Sequence, residues 1–343
     1  MTTHSPHKNI HVLVTGGAGY VGTHTCVELL NSGYDVTVLD NLSNSSLDNL
    51  RCVAKITGKP FAFCKADLRN REDVEKELSK LNKVDIVFHF AGMKSIKESV
   101  ENPLLYYKNN VVGTMNLIEV MEKINCRNIV FSSSAAVYGN AESPVSEDSP
   151  TNPTNTYGHT KLHIEHILED VARCKDWRVV ILRYFNPIGV HKSGLIGESS
   201  NGNVPVNLVP YLSRVAFGNL SHFNLYGTDY ETKDGTCIRD YIHVVDLAKG
   251  HLAALDRVRQ LSEKSVEVFN LGTGKGFSVL EVINEFAKIS DKNIKVKQSS
   301  RRPGDVSTMY ASVEKANRVL EWHAECDLNK ALTDMWNWQN QNK

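Results

Sequence analysis

The sequence predicts a doubly wound α/β fold, an open and mostly parallel sheet with helices on both faces, followed by a smaller mixed α/β lobe. Three observations carry this reading. Short β-branched runs alternate with helical stretches through the first half of the chain. The runs are almost continuously apolar, as expected of strands buried on both faces. The first of them ends in a glycine cluster that opens a helix.

The elements follow in order. A first strand is expected at 10–14, then Gly16-Gly17-Ala18-Gly19 and an amphipathic helix at 20–31. A second strand at 35–39 ends at Asp40-Asn41, and a Ser/Asn loop (42–46) leads into a helix at 47–57. A third strand at 61–65 is followed by Asp67-Leu68, and 71–80 reads as helix. The fourth, 84–89, ends in Phe90-Ala91-Gly92. A helical period with one apolar stripe covers 103–123. The fifth strand, 128–131, runs into Ser132-Ser133-Ser134; beyond a proline-containing loop, 156–172 is helical and 178–184 is a sixth strand. From about Asn186 glycine and asparagine become frequent and the helices shorten. This gives a nucleotide-binding domain over 10–186 and a substrate lobe over 187–343, with interleaving of the chain allowed and one shared cleft. Residues 1–9 are polar, contain two histidines and read as a disordered tail without the apolar core of a leader.

Composition removes several function classes. Lys plus Arg total 39 and Asp plus Glu total 39 in 343 residues, so the zero net charge argues against a nucleic-acid backbone binder. No apolar run approaches the roughly 20 residues that cross a bilayer. The seven cysteines are scattered without Cys-x-x-Cys spacing, which speaks against a zinc ribbon and suits a reducing compartment, the cytoplasm.

Local motifs then point to chemistry. Gly17-x-Gly19-x-x-Gly22, equally Gly16-x-x-Gly19-x-x-Gly22, stands between a strand and a helix, the context in which glycines let a pyrophosphate reach a helix N-terminus. That is the Rossmann-type dinucleotide fingerprint. Asp40, eighteen residues after Gly22, can accept from two ribose hydroxyls and would repel a 2′-phosphate, favouring NAD over NADP; a turn cap is its other reading. Asp67 fits an adenine edge or a plain turn. Tyr157 and Lys161, four apart on a helix, lie on one face, where an ammonium and a nicotinamide cation would favour phenolate and make a base. Ser134, at the end of the serine triplet, could hydrogen-bond the reacting hydroxyl, with Ser132 and Ser133 structural. His159, His163 and His166 share a stripe that turns away from Tyr157, so no metal is expected.

Together these residues resemble the extended short-chain dehydrogenase/reductase family, in its branch that modifies sugar nucleotides. The resemblance runs from about Ile10 to about Gln339. It rests on Val14-Thr15-Gly16-Gly17-Ala18-Gly19-Tyr20, Phe90-Ala91-Gly92, Phe131-Ser132-Ser133-Ser134-Ala135, Arg183-Tyr184-Phe185-Asn186-Pro187, Arg239-Asp240-Tyr241-Ile242-His243-Val244, Asn270-Leu271-Gly272-Thr273-Gly274 and Arg301-Arg302-Pro303-Gly304-Asp305.

The resemblance implies interconversion of UDP-galactose and UDP-glucose by NAD-dependent inversion at C4, through a transient 4-keto sugar that swings about its diphosphate link. It makes Ser134, Tyr157 and Lys161 the catalytic trio. Gly16, Gly19, Tyr20, Val21, Gly22, Asp40, Asn41, Asp67, Leu68, Phe90, Ala91, Gly92, Lys94, Asn110 and Tyr184 would line the cofactor with that tyrosine and lysine. Asn186, Asn207, Leu208, Tyr226, Arg239, Arg302, Asp305 and Met309 would join Ser134 around the substrate: the arginines on the diphosphate, Tyr226 on uracil, Asp305 on the uridine ribose, Met309 at the sugar pocket. A small residue at that last position admits N-acetylated sugars and a tyrosine restricts them. Methionine falls between, which leaves UDP-GalNAc and UDP-GlcNAc as candidate substrates. The family is commonly homodimeric through its 103–123 and 156–172 helices.

Two alternatives are weighed against this. A sugar-nucleotide dehydratase or decarboxylase carries an acid where this chain has Ala136, before Val137-Tyr138-Gly139. A non-catalytic dinucleotide sensor would have no need of Tyr157 and Lys161 together.

Overall fold

The computed structural model describes residues 10–198 and 207–341. The expected tail at 1–9 lies outside the described residues. Thirteen strands are present among them. In chain order they are β1 (His11–Thr15), β2 (Asp35–Asp40), β3 (Ala62–Lys65), β4 (Ile86–His89), β5 (Asn128–Ser134), β6 (Arg178–Tyr184), β7 (Asn186–Ile188), β8 (Phe223–Tyr226), β9 (Ile238–His243), β10 (Ser265–Leu271), β11 (Gly276–Ser278), β12 (Val296–Ser299) and β13 (Thr308–Met309).

The main sheet has seven strands in the order β10-β6-β5-β4-β1-β2-β3, and every pairing in it is parallel. The expected doubly wound fold is therefore what forms. Alternate residues of one strand serve opposite faces: Val12 and Val14 of β1 enter one core, Leu13 the other. Helices Tyr20–Asn31 and Val244–Gln260 close the first face through Val27, Leu30, Leu247 and Leu255. Helices Arg71–Leu78, Gly113–Lys123 and Thr156–Cys174 close the second through Val74, Leu117, Val120, Ile164 and Leu168.

Two features depart from the sequence reading. The sheet gains a seventh strand, β10, from the region read as the second lobe; it pairs with β6 from Ser265↔Arg178 to Leu271↔Tyr184. With helix Val244–Gln260, the chain thus returns to the main sheet after building strands outside it. The helical stretch at 103–123 is also not uniform. A π-helical segment, Tyr107–Val112, separates helices Pro103–Tyr106 and Gly113–Lys123.

The second lobe is built on β9, which is flanked by antiparallel β11 and by parallel β7 and β13. Its core holds Val209, Leu212, Phe286, Leu332 and Met335. A smaller cluster containing Ala135, Val137, Tyr138, Phe185 and Met309 joins the two lobes. No helix among the described residues is long and apolar enough to cross a membrane.

Three buried imidazoles set the acid limit of this fold. Burial pulls His24 and His89 down to about 3 and His251 down to about 4. In the unfolded chain each titrates near about 6.5. The folded values lie below the unfolded ones, so this contribution to stability is complete above that pH and is lost as pH falls toward 4 and 3. Calorimetry should show a near-constant unfolding midpoint from about pH 8 to 7 and a steep decline from about pH 6 to 4.

Candidate active site at the carboxyl edge of the sheet

Strand order reverses between β1 and β4, so the turns after these two strands diverge and leave a crevice at the carboxyl edge. The glycines after β1 have separate reasons. Gly16 has φ +69°, and a Cβ there would lie 2.6 Å from the Ala91 amide nitrogen in the turn after β4. A Cβ on Gly22 would lie 2.5 Å from the Gly16 carbonyl oxygen. Gly19 is different: it has negative φ, and its nearest neighbour would be that same oxygen at 3.2 Å. It is also the N-cap of helix Tyr20–Asn31 and gives no side-chain cap. An uncapped helix start with open space in front of it fits a pyrophosphate.

Around this loop, Asp40 is buried and already employed. One oxygen accepts from the Ala18 amide at 3.0 Å, the other from the Leu42 amide and the Ser45 hydroxyl, each at 2.9 Å. The turn-cap role is thus present, and it holds the carboxylate against the glycine loop. Asn41 donates to Asp67 at 3.1 Å; Arg69 and Asn41 together hold the Asp67 carboxyl down at about 2. Leu68 accepts at its carbonyl from Asn116 at 2.8 Å. Tyr20 donates to the Gly189 carbonyl at 2.5 Å, tying the loop's helix to the second lobe, and Val21 lies partly buried beside it.

A buried relay joins β1 to β4. Thr114 donates to the Asn110 carbonyl at 2.6 Å, so it accepts from His89 Nε2–H at 2.7 Å; His89 Nδ1 then accepts from Thr15 at 2.7 Å. Asn110 braces the turn that follows Phe90-Ala91-Gly92, accepting from the Met93 amide at 2.8 Å and donating to the Met93 carbonyl at 3.0 Å.

Helix Thr156–Cys174 starts where Asn155 accepts from the Gly158 amide at 2.9 Å. This cap fixes Tyr157 in the first turn, with its own amide donating to Ser99 at 3.1 Å. Lys161 lies on the same face, its Nζ 5.9 Å from the Tyr157 ring centre and donating to the Ser132 carbonyl at 2.7 Å. Burial lowers Lys161 to about 8, opposed by Glu165. Burial raises the Tyr157 phenol, while the Ser134 hydroxyl and the Lys94 ammonium pull it back. Ser134 also caps the turn Ala135–Tyr138, accepting from the Ala136 amide at 3.2 Å.

Tyr184, at the end of β6, is buried and hydrogen-bonds to His251 Nε2. His251 Nδ1–H donates to the Leu247 carbonyl at 2.8 Å, so Nε2 is the acceptor for the Tyr184 hydroxyl. Sequence reasoning missed His251, whose contact to Tyr184 spans 67 positions.

The second lobe brings its polar residues to the same edge. Arg239 lies beside Met309 in the β9–β13 register and donates to the Val306 carbonyl at 2.7 Å and the Ile238 carbonyl at 2.8 Å. Arg302 pairs with Asp305 at 2.9 Å and stands 5.0 Å over the Tyr226 ring. The 302–305 loop is docked on the first domain, since Thr154, next to the Asn155 cap, donates to the Gly304 carbonyl at 3.2 Å. Asn186 is exposed at the start of β7. Asn207, ahead of Leu208, donates to Glu198 at 2.6 Å, and Glu198 also pairs with Lys94 at 2.6 Å. Lys94, expected at the cofactor, and Asn207, expected at the substrate, thus share one carboxylate. Asp240, also missed, is a buried clamp that accepts from the Thr273 and Gly274 amides at 2.9 Å and the Ala311 amide at 3.2 Å.

His163 and His166 of the histidine stripe are exposed. His163 packs edge-on against Tyr107 at 5.8 Å, and no group able to hold a metal ion is found among the described residues.

Comparison with known proteins agrees with this geometry. The model of the family described as NAD dependent epimerase/dehydratase matches residues 12–272. The UDP-glucose 4-epimerase of Bacillus subtilis is 53% identical over 333 residues, which cover 96% of this chain and 97% of that protein. The crystal structure of UDP-glucose 4-epimerase from Bifidobacterium longum in complex with NAD+ and UDP is 48% identical. It superimposes with a TM-score of 0.93 over 97% of this chain and 98% of that one. The UDP-Glc/GlcNAc 4-epimerase of Campylobacter jejuni is 37% identical, with a TM-score of 0.83 over 97% of this chain and 100% of that one.

Proposed function

Because the chain belongs to the NAD dependent epimerase/dehydratase family, we propose that it interconverts UDP-galactose and UDP-glucose by inversion at C4, with NAD as its cofactor. The observation that carries this is the meeting of Tyr157, Ser134 and Lys161 beside an uncapped glycine-loop helix. NAD, when bound, supplies a reversible electron-pair acceptor for C4, so the overall reaction is redox-neutral.

The chain's own residues do the rest. Gly16, Gly19 and Gly22 admit the pyrophosphate, Asp40 and Asn41 take the adenosine ribose, and Asp67-Leu68 lie at the adenine. Phe90 to Gly92, Lys94, Asn110 and Tyr184 line the remainder. Tyr157 takes the proton from the sugar 4-hydroxyl and later returns one to the same oxygen, after the keto sugar has turned its other face, with Ser134 orienting that oxygen. The Lys94 ammonium favours the Tyr157 phenolate, and Lys161, charged below about pH 8, stands 5.9 Å from the same ring. Arg239 and Arg302 hold the diphosphate, Tyr226 and Asp305 the uridine, and Asn186 and Asn207-Leu208 close the pocket. A guanidinium fork suits a diphosphate that must stay anchored while the sugar turns.

Arg239→Ala should raise KM for UDP-galactose about 10- to 100-fold with kcat changed less than about threefold, since a charge-assisted contact to the anchor is worth about 1.5–3 kcal/mol. Steady-state kinetics check this.

Incubation with UDP-galactose and UDP-GalNAc in parallel tests the function and its range. Formation of UDP-glucose supports the proposal, and a 4-keto-6-deoxy sugar would instead indicate a dehydratase. Met309 is buried beside Arg239, so it can shape the sugar pocket, and the N-acetyl arm of the assay reads that role. A homodimer is part of the proposal: Leu104, Val112 and Met115 stand exposed on the 103–123 stretch. A cytoplasmic location is the setting that its cysteine usage suits.

A further inference from the structure

A buried carboxylate that the chemistry above does not use sits directly behind Ser134 and Lys161. The carboxyl end of β5 presents three serines in succession. The Ser132 carbonyl accepts from Lys161, and the Ser134 hydroxyl acts on the Tyr157 phenol. Between them, the Ser133 hydroxyl donates to Glu165, which is 1% exposed. Glu165 lies one turn beyond Lys161 on helix Thr156–Cys174. Its carboxylate also accepts from Arg183 Nε at 3.2 Å and Nη2 at 2.7 Å. Arg183 is the β6 residue paired with Ser133 in the sheet register. The guanidinium is held in turn by the Tyr138 hydroxyl at 3.0 Å and the Glu147 carbonyl at 3.2 Å. One carboxylate therefore ties the ends of two strands to the helix that carries Tyr157 and Lys161.

Stability does not require such a pair. Well-packed apolar residues often replace a buried ion pair without loss, whereas breaking one side of it is costly. What an apolar pair could not do is fix a hydroxyl-bearing strand end at one register against a helix.

We propose that Glu165 is a positioning residue, holding Ser132 and Ser134 in place against Tyr157 and Lys161 through its bonds to Ser133 and Arg183. This rests on the function proposed above. The charged and titratable groups facing Tyr157 and Lys161 are Glu165 on their own helix, His89 from β4, Lys94 from the turn after β4 and Tyr184 from β6, with Arg183 of β6 behind Glu165. Of these, Glu165 is the group that binds both Ser133 of β5 and Arg183 of β6.

The test is Ser133→Ala, which removes one hydrogen bond and leaves the ion pair intact, so the protein should unfold within a few degrees of wild type. The account expects kcat on UDP-galactose to fall about tenfold with KM within about twofold. It also expects the Tyr157 phenol, read as tyrosinate difference absorbance against Tyr157→Phe, to titrate about half a unit or more higher, because Ser134 no longer supports the ionised form. Wild-type kcat and a wild-type titration in Ser133→Ala would overturn the proposal. Should the wild-type protein fail to convert UDP-galactose, the functional reading is at fault. The phenol titration, which needs no turnover, still decides the role of Glu165.

Discussion

Replacing Tyr157 with phenylalanine lowers kcat for UDP-galactose conversion about a thousandfold while KM stays within a few-fold of wild type. Inversion at C4 needs a group that accepts the 4-hydroxyl proton on one pass and returns it on the next. A positioned acid/base is worth about 10²–10⁴ in rate. Ser134 cannot replace it, because a serine hydroxyl is itself a weak base that needs a neighbouring group to take its proton. Lys161 cannot either, because below about pH 8 it is an ammonium with no lone pair to take a proton. Phenylalanine retains the ring and leaves the Asn155 cap untouched, so folding should be unaffected and the loss should appear in kcat. A loss of only a few-fold would remove Tyr157 from the mechanism.

Gly22→Ala is expected to damage both fold and cofactor site. Its methyl would lie 2.5 Å from the Gly16 carbonyl oxygen and 2.7 Å from the Gly17 Cα, both backbone atoms of the loop that must receive the pyrophosphate. The helix and loop have to separate, at a cost of about 1–3 kcal/mol. Purified Gly22→Ala should unfold several degrees below wild type and bind NAD at least about tenfold more weakly. Gly19→Ala separates the two effects. Its nearest contact, at 3.2 Å, needs only a small adjustment, so the unfolding midpoint should stay near wild type. The new methyl nevertheless faces the space proposed for the pyrophosphate, so NAD binding should still weaken. Calorimetry and NAD titration of the two variants check the pair of outcomes.

Most of the sheet was legible because strands buried on both faces are unbroken apolar runs, and the turns after them carry conspicuous residues. β10 escaped because Ser265–Leu271 lies beyond the change of texture near Asn186, and its partner in the register is β6, 87 positions away. Local periodicity cannot report such a pairing. The π-helical segment Tyr107–Val112 was also hidden, since six residues are too short a window for a period to be read.

Within the site, the glycine loop, Tyr157, Lys161 and the serine triplet could be read from spacing alone. The arginines of the second lobe could not; they came only through the family resemblance. Buried polar partners were the least visible. His251 and Asp240 meet their partners across long stretches of chain, and nothing in their neighbourhoods announces it. Glu165 is the exception. Its place four residues after Lys161 already put it on the catalytic face, though spacing could not show that Ser133 and Arg183 would meet it there.

The central claim is redox-neutral inversion at C4 by Tyr157, Ser134 and Lys161, and one measurement tests it most directly. UDP-galactose labelled with deuterium at C4 is incubated with the purified protein, NAD present and no reductant added, and the products are read by NMR and mass spectrometry. The account predicts UDP-glucose that keeps its deuterium at C4. UDP-galactose recovered unchanged, UDP-glucose with the label lost to solvent, or a 4-keto-6-deoxy sugar would contradict it.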